Sequence, residues 1–147
     1  MTLRSWEFVD LIKIEKFHKE NFIDAWTYSQ LASSFLSDKF KGFLVEDNGE
    51  ILGTVCYDLS IEEGDILHIV VKKEERKKGI ATSLLERAFE EVKKIELKAL
   101  FLEVRESNIP AIKTYEKAGF TKLAERKNYY SDKETAIVMK KEFSYNY

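Results

Sequence analysis

A short basic segment followed by one glycine is the part of this 147-residue chain whose residue types point most directly to chemistry. Arg76, Lys77 and Lys78 precede Gly79, and apolar residues at helical spacing begin at Ile80. The first amides of a helix lack backbone acceptors and lie at the positive end of the helix dipole, so they bind phosphate groups well. Gly79 would let a ligand approach closely. The segment therefore predicts a phosphate site, with a solvated basic turn as the alternative.

The segment differs from both common nucleotide-binding loops. No second pair of glycines precedes Gly79, as a dinucleotide fingerprint requires, and no Lys-Ser or Lys-Thr follows it, as a nucleoside-triphosphate loop requires. The sequence therefore favours a phosphate-bearing cofactor of another kind.

Glu103 is a second candidate for chemistry, because it is the only carboxylate within the apolar run at residues 98–104. Burial raises the pKa of a carboxyl group toward the range in which it acts as a base at neutral pH. Glu103 is therefore a candidate general base. The alternative is an ion pair with Arg105 on the same strand face.

Two buried strands and a long helix must position these groups. Residues 66–71 are apolar on both faces, as in a central strand, and a helix at residues 80–95 connects them to a strand at 98–104. Strands joined in this way are parallel neighbours, and their ligands bind beyond their carboxyl ends. We therefore expect Val71, Gly79 and Glu103 to line one crevice.

The rest of the chain is predicted to extend and cover this sheet. Asn48-Gly49 between two apolar runs is typical of a β-hairpin. The other predicted elements are a strand at 3–9, a helix capped by Asp10 with Leu11, Ile14, Phe17 and a surface His18, a helix from Thr27 to Leu36, hairpin strands at 40–46 and 51–58, a helix started by Asn108 and Pro110 and ended by Gly119, strands at 121–126 and 135–141, and a frayed tail at 142–147. His68 is expected in the core or lining a pocket, and Cys56 in the core.

The order of these motifs is similar to that of the GNAT acetyltransferase superfamily. The run from His68 to Leu85, with Arg76-x-x-Gly79-x-Ala81, resembles its acetyl-CoA signature. A second block strengthens the likeness: Leu102-Glu103-Val104-Arg105-Glu106-Ser107-Asn108, Ala111-Ile112, Tyr115-Glu116, Gly119-Phe120 and Asn128-Tyr129-Tyr130. The combination resembles RimI-like and archaeal protein N-terminal acetyltransferases in particular, over nearly the whole chain.

The resemblance implies a single α/β domain of this type over residues 1–147, with a mixed sheet of about six to seven strands and helices on both faces. It implies acetyl-CoA as cofactor. The residues expected to contact the cofactor are Ile69, Val70, Val71, Arg76, Lys77, Lys78, Gly79, Ile80, Ala81, Thr82, Asn108 and Tyr115. The backbone at 69–71 would hold the pantetheine arm and supply an oxyanion donor. For Asn108, helix capping is the alternative role.

The resemblance also assigns roles in acetyl transfer, which needs no metal. Glu103 would be the base and Tyr115 the acid for the departing thiolate. An α-amino group has an unperturbed pKa of about 8 against about 10.4 for lysine, so a modest base acting through water suffices for a protein N-terminus. A phenol is a weaker acid than a thiol, so loss of Tyr115 should slow the reaction rather than abolish it. A core tyrosine is the alternative.

Four aromatic residues are expected, by the same resemblance, to line a groove for the substrate peptide: Phe22, Trp26, Tyr129 and Tyr130. A lid over the core is the alternative for the first two, and surface packing for the tyrosine pair. The chain has Ala25 where the family often has proline, and Asp132-Lys133-Glu134 where it often has Gly-Glu or Arg-Glu. The N-terminal sequence that is read therefore stays open.

Composition restricts the possible partners. The net charge is −2, which argues against binding nucleic acid by bulk electrostatics. No stretch is apolar enough to span a bilayer, no secretory signal is evident, and a single cysteine suits a reducing cytoplasm. We expect a cytoplasmic monomer or weak homodimer whose partners are acetyl-CoA and a protein N-terminus. The rivals are acetylation of lysine or a small amine, and a non-catalytic acyl-CoA-binding or ribosome-associated module.

Overall fold

Seven strands form one mixed sheet in the computed structural model, which describes residues 1–146. The elements in chain order are β1 (Thr2–Ser5), α1 (Leu11–Asn21), α2 (Tyr28–Phe35), β2 (Phe40–Asp47), β3 (Glu50–Leu59), β4 (Glu63–Val71), α3 (Ile80–Lys94), β5 (Ala99–Arg105), α4 (Ile109–Lys117), β6 (Thr121–Arg126) and β7 (Ala136–Glu142). Two short 3-10 helices lie at Phe8–Asp10 and Lys73–Glu75. The strand order across the sheet is β1-β2-β3-β4-β5-β7-β6.

The α/β fold class and the mixed sheet are confirmed. β4 and β5 are parallel, whereas every other neighbouring pair is antiparallel. Helices cover both faces: α3 packs Leu84, Leu85 and Ala88 into one core, and α1 packs Leu11 and Ile14 into a second core. The three leucines are almost completely buried, so truncating one of them to alanine would cost about 2–5 kcal/mol.

Local signals in the sequence correctly predict two of the connections. Asn48 and Gly49 have φ of 51° and 78°, the paired positive values of a hairpin turn whose twist matches its strands. Thr27 caps α2 by accepting a hydrogen bond from the Gln30 amide, and the Gln30 side chain accepts from the Thr27 amide in return.

The structure corrects the prediction that His18 lies on the surface. His18 is fully buried, because it lies four residues after Ile14 and so shares the apolar face of α1. Its Nε2 is 2.7 Å from Thr54 Oγ1, and its ring lies 5.3 Å from that of His68. The core positions predicted for Cys56 and His68 are confirmed, with Sγ and Nδ1 3.7 Å apart.

The predicted limits of some elements are also wrong. β1 ends at Ser5 rather than at residue 9, because a 3-10 helix begins at Phe8, and β4 begins three residues early, at Glu63. The C-terminal residues are not frayed as far as the structure describes them. β7 continues to Glu142, the Phe143 amide donates to Lys98 O at 2.9 Å, and the Tyr145 hydroxyl donates to Leu97 O at 2.6 Å. Tyr147, the last residue of the predicted tail, lies outside the described residues.

None of the helices within residues 1–146 has the length and apolar character that a membrane crossing requires.

Candidate active site

A gap between β4 and β5 is the feature around which the predicted site residues gather. Within residues 1–146 the two strands pair only where they begin, at Glu63–Asp65 with Ala99–Phe101. A β-bulge lies just beyond this short ladder: Cys56 faces His68 and Tyr57 faces Ile66, so Leu67 is an extra residue on β4. Bulges bend the strand that carries them, and this bend accompanies the parting of β4 from β5.

The backbone of β4 presents hydrogen-bonding groups to this gap. The Lys72 amide donates to Leu52 O on β3, and Val70 is paired with Thr54. Because successive residues of a strand direct their N–H and C=O groups to opposite sides, those of Ile69 and Val71 face the gap. Of the backbone groups at residues 69–71 that are predicted to hold the pantetheine arm, only those of Ile69 and Val71 face the gap, because the Val70 backbone is directed to β3.

The amino end of α3 lies next in the chain and is open. Gly79 is the N-cap in the left-handed region, with φ 82°, and a Cβ built on it would have nothing within 4 Å. No side chain in the described part of the chain caps this helix, and its first backbone bond runs from the Ser83 amide to Gly79 O. The amides of Ile80, Ala81 and Thr82 are therefore available to an anion.

The neighbouring basic side chains are arranged differently from the prediction that they supply charge to a diphosphate. Arg76 donates to Val71 O at 3.3 Å and to Asn21 O at 3.0 Å, so its guanidinium attaches the loop to the end of α1. Lys78 bonds Glu75 at 3.0 Å. Lys77 adopts a left-handed backbone with φ 67°. Arg76 and Lys78 are thus engaged in contacts within the protein.

Glu103 lies on the face of β5 opposite to α3, which we call the open face and define by Phe101, Glu103 and Arg105. The prediction that Glu103 is buried is wrong: strand alternation places Leu102 and Val104 in the core and leaves Glu103 exposed. Its Oε1 lies 3.8 Å from Arg126 Nη1, and a hydrogen bond to Glu103 raises the pKa of the Tyr129 phenol.

Asp65 of β4 also carries a carboxylate beside Glu103, and it was absent from the residues predicted for the site. Desolvation, followed by the charge of Glu103, raises the pKa of Asp65. Its pairing with Phe101 across the short parallel ladder explains this proximity. No sequence signal marks Asp65, because it follows a turn and resembles an ordinary strand end.

Tyr115 projects from α4 toward the core into which α3 packs, and it is half-buried. Its ring lies 6.2 Å from that of Phe120 in an edge-to-face arrangement. Desolvation, with a smaller effect of Tyr130, raises its pKa, so the phenol keeps its proton at neutral pH. Tyr115 and Glu103 thus belong to opposite faces of the sheet, on either side of β5.

Asn108 is the N-cap of α4, as its alternative role predicted. Its Oδ1 accepts from the Ala111 amide at 3.3 Å. The oxygen therefore serves the helix, and the amide nitrogen is the atom with which Asn108 could contact a ligand.

The four aromatic residues of the predicted groove form two separate groups. Tyr129 is 48% exposed, and its ring lies 5.1 Å from Tyr130 at 90°. Phe22 and Trp26 are half-buried against the His68 ring, at 5.4 and 4.3 Å. The second pair thus covers the core, as the alternative interpretation held, while part of each side chain remains accessible.

Arg105 does not pair with Glu103, contrary to the alternative considered for that carboxylate. Its guanidinium bonds Asp24, Asp132 and Glu134, at 2.8–2.9 Å. The sequence alone gives Arg105 no role of its own, since these partners lie 81, 27 and 29 positions away along the chain.

Comparison with known proteins gives a consistent result. A family model described as the acetyltransferase (GNAT) family matches residues 5–120. The ribosomal protein bS18-alanine N-acetyltransferase of Escherichia coli (strain K12) is 29% identical over 141 residues, which cover 94% of this chain and 95% of that protein. An N-alpha-acetyltransferase of Sulfolobus acidocaldarius is 38% identical over 118 residues, 71% of this chain and 70% of that one.

Solved structures extend the similarity to the fold. The crystal structure of the ribosomal-protein-S18-alanine N-acetyltransferase from Escherichia coli superposes with a TM-score of 0.92 at 29% identity, and it covers 99% of this chain and 96% of its own. The fold is thus shared over nearly the whole length of both chains.

Proposed function

Since this chain belongs to the GNAT acetyltransferase family, we propose that it transfers an acetyl group from acetyl-CoA to the N-terminal α-amino group of a protein. A ribosomal protein is one candidate substrate, by analogy with the Escherichia coli relative. The observation that carries the proposal is the gap between β4 and β5. Gap-facing backbone groups of β4 and an open helix start border it, and carboxylates and tyrosines lie on the open face beyond.

The residues present fit the cofactor. The uncapped amides of Ile80, Ala81 and Thr82 suit a diphosphate, and the absence of atoms near a Cβ at Gly79 leaves room for it. The gap-facing groups of Ile69 and Val71 suit an extended arm with amide groups, because they can add bonds like those of a further strand. Bound acetyl-CoA would supply the acetyl group as a thioester.

The face of the sheet on which each side chain lies determines the role that we propose for it. Glu103 would accept the proton of the substrate amine on the open face, where Tyr129 and Tyr130 give a peptide aromatic contact area. An amide of Ile69 or Val71 would donate to the carbonyl oxygen of the acetyl group. Tyr115, protonated at neutral pH, would provide a proton to the departing sulfur from the other side of β5.

A peptide panel tests this function. Each peptide is offered with a free and with an acetyl-blocked N-terminus, contains one internal lysine, and begins with alanine or another small residue. We expect mass spectrometry to find one acetyl group on the α-amine of the free peptides and none on the blocked ones. Modification of lysine in blocked peptides would instead favour the lysine-directed rival. Comparing cellular N-termini with and without the protein would then identify the substrate.

A further inference from the structure

Arg105 joins two loops that no strand pairing connects. It ends β5, and its side chain is 11% exposed. On one side its Nε and Nη2 donate to the two oxygens of Asp24 at 2.9 and 2.8 Å. Such two-point pairing fixes orientation as well as distance. Asp24 belongs to the α1–α2 loop, residues 22–27, which carries Phe22 and Trp26.

On its other side Arg105 holds the β6–β7 loop, residues 127–135. Its Nη1 donates to Asp132 at 2.8 Å and to Glu134 at 2.9 Å. The guanidinium carbon also lies 4.1 Å from the centre of the Tyr130 ring, which places the cation over its face. Glu134 in turn accepts from the Ser107 amide at 2.8 Å, so the loop is attached to the end of β5 at two points.

The charge balance makes this arrangement depend on one residue. Three carboxylates from two loops converge on a single guanidinium. The Glu134 amide and then Arg105 lower the pKa of Asp132, and a bond from Ser107 and then Arg105 lower that of Glu134. Without Arg105, the three negative groups would repel one another and the loops would separate. The aromatic residues of each loop would move with it.

We propose that Arg105 is a positioning residue, which holds the two walls of the peptide groove at a fixed separation so that the acceptor peptide binds between them. This inference rests on the proposed function only for the identity of the ligand. Arg105 contacts neither the gap-facing backbone of β4 nor the start of α3 among its described bonds, so we expect cofactor binding to be unchanged without it.

Steady-state kinetics of Arg105→Gln test the proposal. We expect the KM for a free-N-terminus peptide to rise at least about 10-fold, because the peptide must then also order the separated loops, while the KM for acetyl-CoA and the kcat stay within about 2-fold. Arg105→Lys should recover only part of the loss, because an ammonium cannot bond two oxygens of Asp24 and the second loop together. Arg87→Gln removes an arginine from α3 and should change none of these constants.

Two physical measurements report the loops without turnover. Trp26 lies two residues from Asp24, whereas the other tryptophan, Trp6, is 5% exposed, so acrylamide quenching reports mainly the first loop. Trypsin cleavage at Lys127 and Lys133 reports the second. Both quenching and cleavage should increase in Arg105→Gln and stay unchanged in Arg87→Gln.

Asp24→Asn keeps the proposal testable if Arg105→Gln does not fold. It should increase quenching of Trp26 and raise the peptide KM. Where Arg105→Gln folds, adding Asp24→Asn to it should change these values little further, since both changes break the same contact. A fall in kcat with unchanged KM, or unchanged Trp26 quenching in folded Arg105→Gln or in Asp24→Asn, would overturn the proposal. If no peptide is acetylated by the wild type, the proposed function fails, while the two loop measurements still decide whether Arg105 joins the walls.

Discussion

The Glu103 carboxylate is accessible to a substrate, which is what makes it a candidate base. It lies on the open face, with Arg126 at 3.8 Å and the Tyr129 hydroxyl as a hydrogen-bond partner, and 29% of the side chain is exposed. An amine or a water molecule can therefore reach it directly. The neighbouring Asp65 adds negative charge on the same face, which favours the approach of a cationic amine.

Replacing Glu103 with glutamine tests its role, because the amide keeps the shape but cannot accept a proton. We expect kcat/KM for a peptide to fall about 10²–10⁴-fold, as for the loss of a general base. The free energy of unfolding should change by less than about 0.5 kcal/mol, since the site is exposed. Glu125→Gln, an exposed acid of β6, is the matched control. Unchanged kcat/KM in Glu103→Gln would exclude Glu103 as the general base.

The β4–α3 connection shows which parts of a functional element a sequence can encode. A strand, a glycine and an amphipathic helix are local patterns, and the end of β4 and the start of α3 lie where the sequence predicts them. The direction of the Arg76 side chain is not encoded locally, because one of its two acceptors, Asn21 O, lies 55 positions away along the chain. The bulge at Leu67 was equally invisible, since it depends on the register with β3.

Gly79→Glu tests the open start of α3. A carboxylate at this position would occupy the space next to the uncapped amides and repel a diphosphate, so we expect acetyl-CoA affinity to fall at least about 10-fold by calorimetry. A left-handed backbone costs a non-glycine residue about 1–2 kcal/mol. Gly49→Glu is matched in that strain, because Gly49 has φ 78° and open space around it, but it lies in the β2–β3 turn. Equal affinity in both variants would contradict the phosphate site.

At the scale of the whole molecule, two buried histidines couple stability to pH. Burial lowers the pKa of His68 to about 4 and that of His18 to about 3. An unfolded histidine titrates near pH 6.5, so the unfolded chain binds more protons between these values. Stability is therefore complete above about pH 6.5 and is lost as the pH falls toward 4.

The variant His68→Phe should reduce this acid sensitivity while retaining an aromatic ring against Trp26. Each buried neutral histidine contributes a slope of about 1.4 kcal/mol per pH unit, so the difference between wild type and variant should grow by about that amount per unit from pH 6 to pH 4.5. Urea denaturation at several pH values measures it. Phe22→Leu disturbs the same cluster without removing a titrating group and should keep the wild-type slope. Equal slopes in wild type and His68→Phe would refute the assignment.

The sequence predicts the architecture well and the site in part. Hydrophobic period and turn residues identify the hairpin, the central strands and α3, because these signals are local. Burial of His18 and exposure of Glu103 were misjudged, since each depends on which side of an element faces a neighbour. The convergence of Asp24, Asp132 and Glu134 on Arg105 required the fold itself, which brings distant segments together.

The separation of β4 from β5 has a consequence for how ligands enter and leave. A gap between two strands opens toward both faces of the sheet, so the acetyl donor and the acceptor would enter from opposite sides. Either product would then be able to leave while the other is still bound. The body of an acceptor protein would remain outside in solvent. Only its first few residues, in extended form, would have to fit, whatever the size or shape of the rest of that protein.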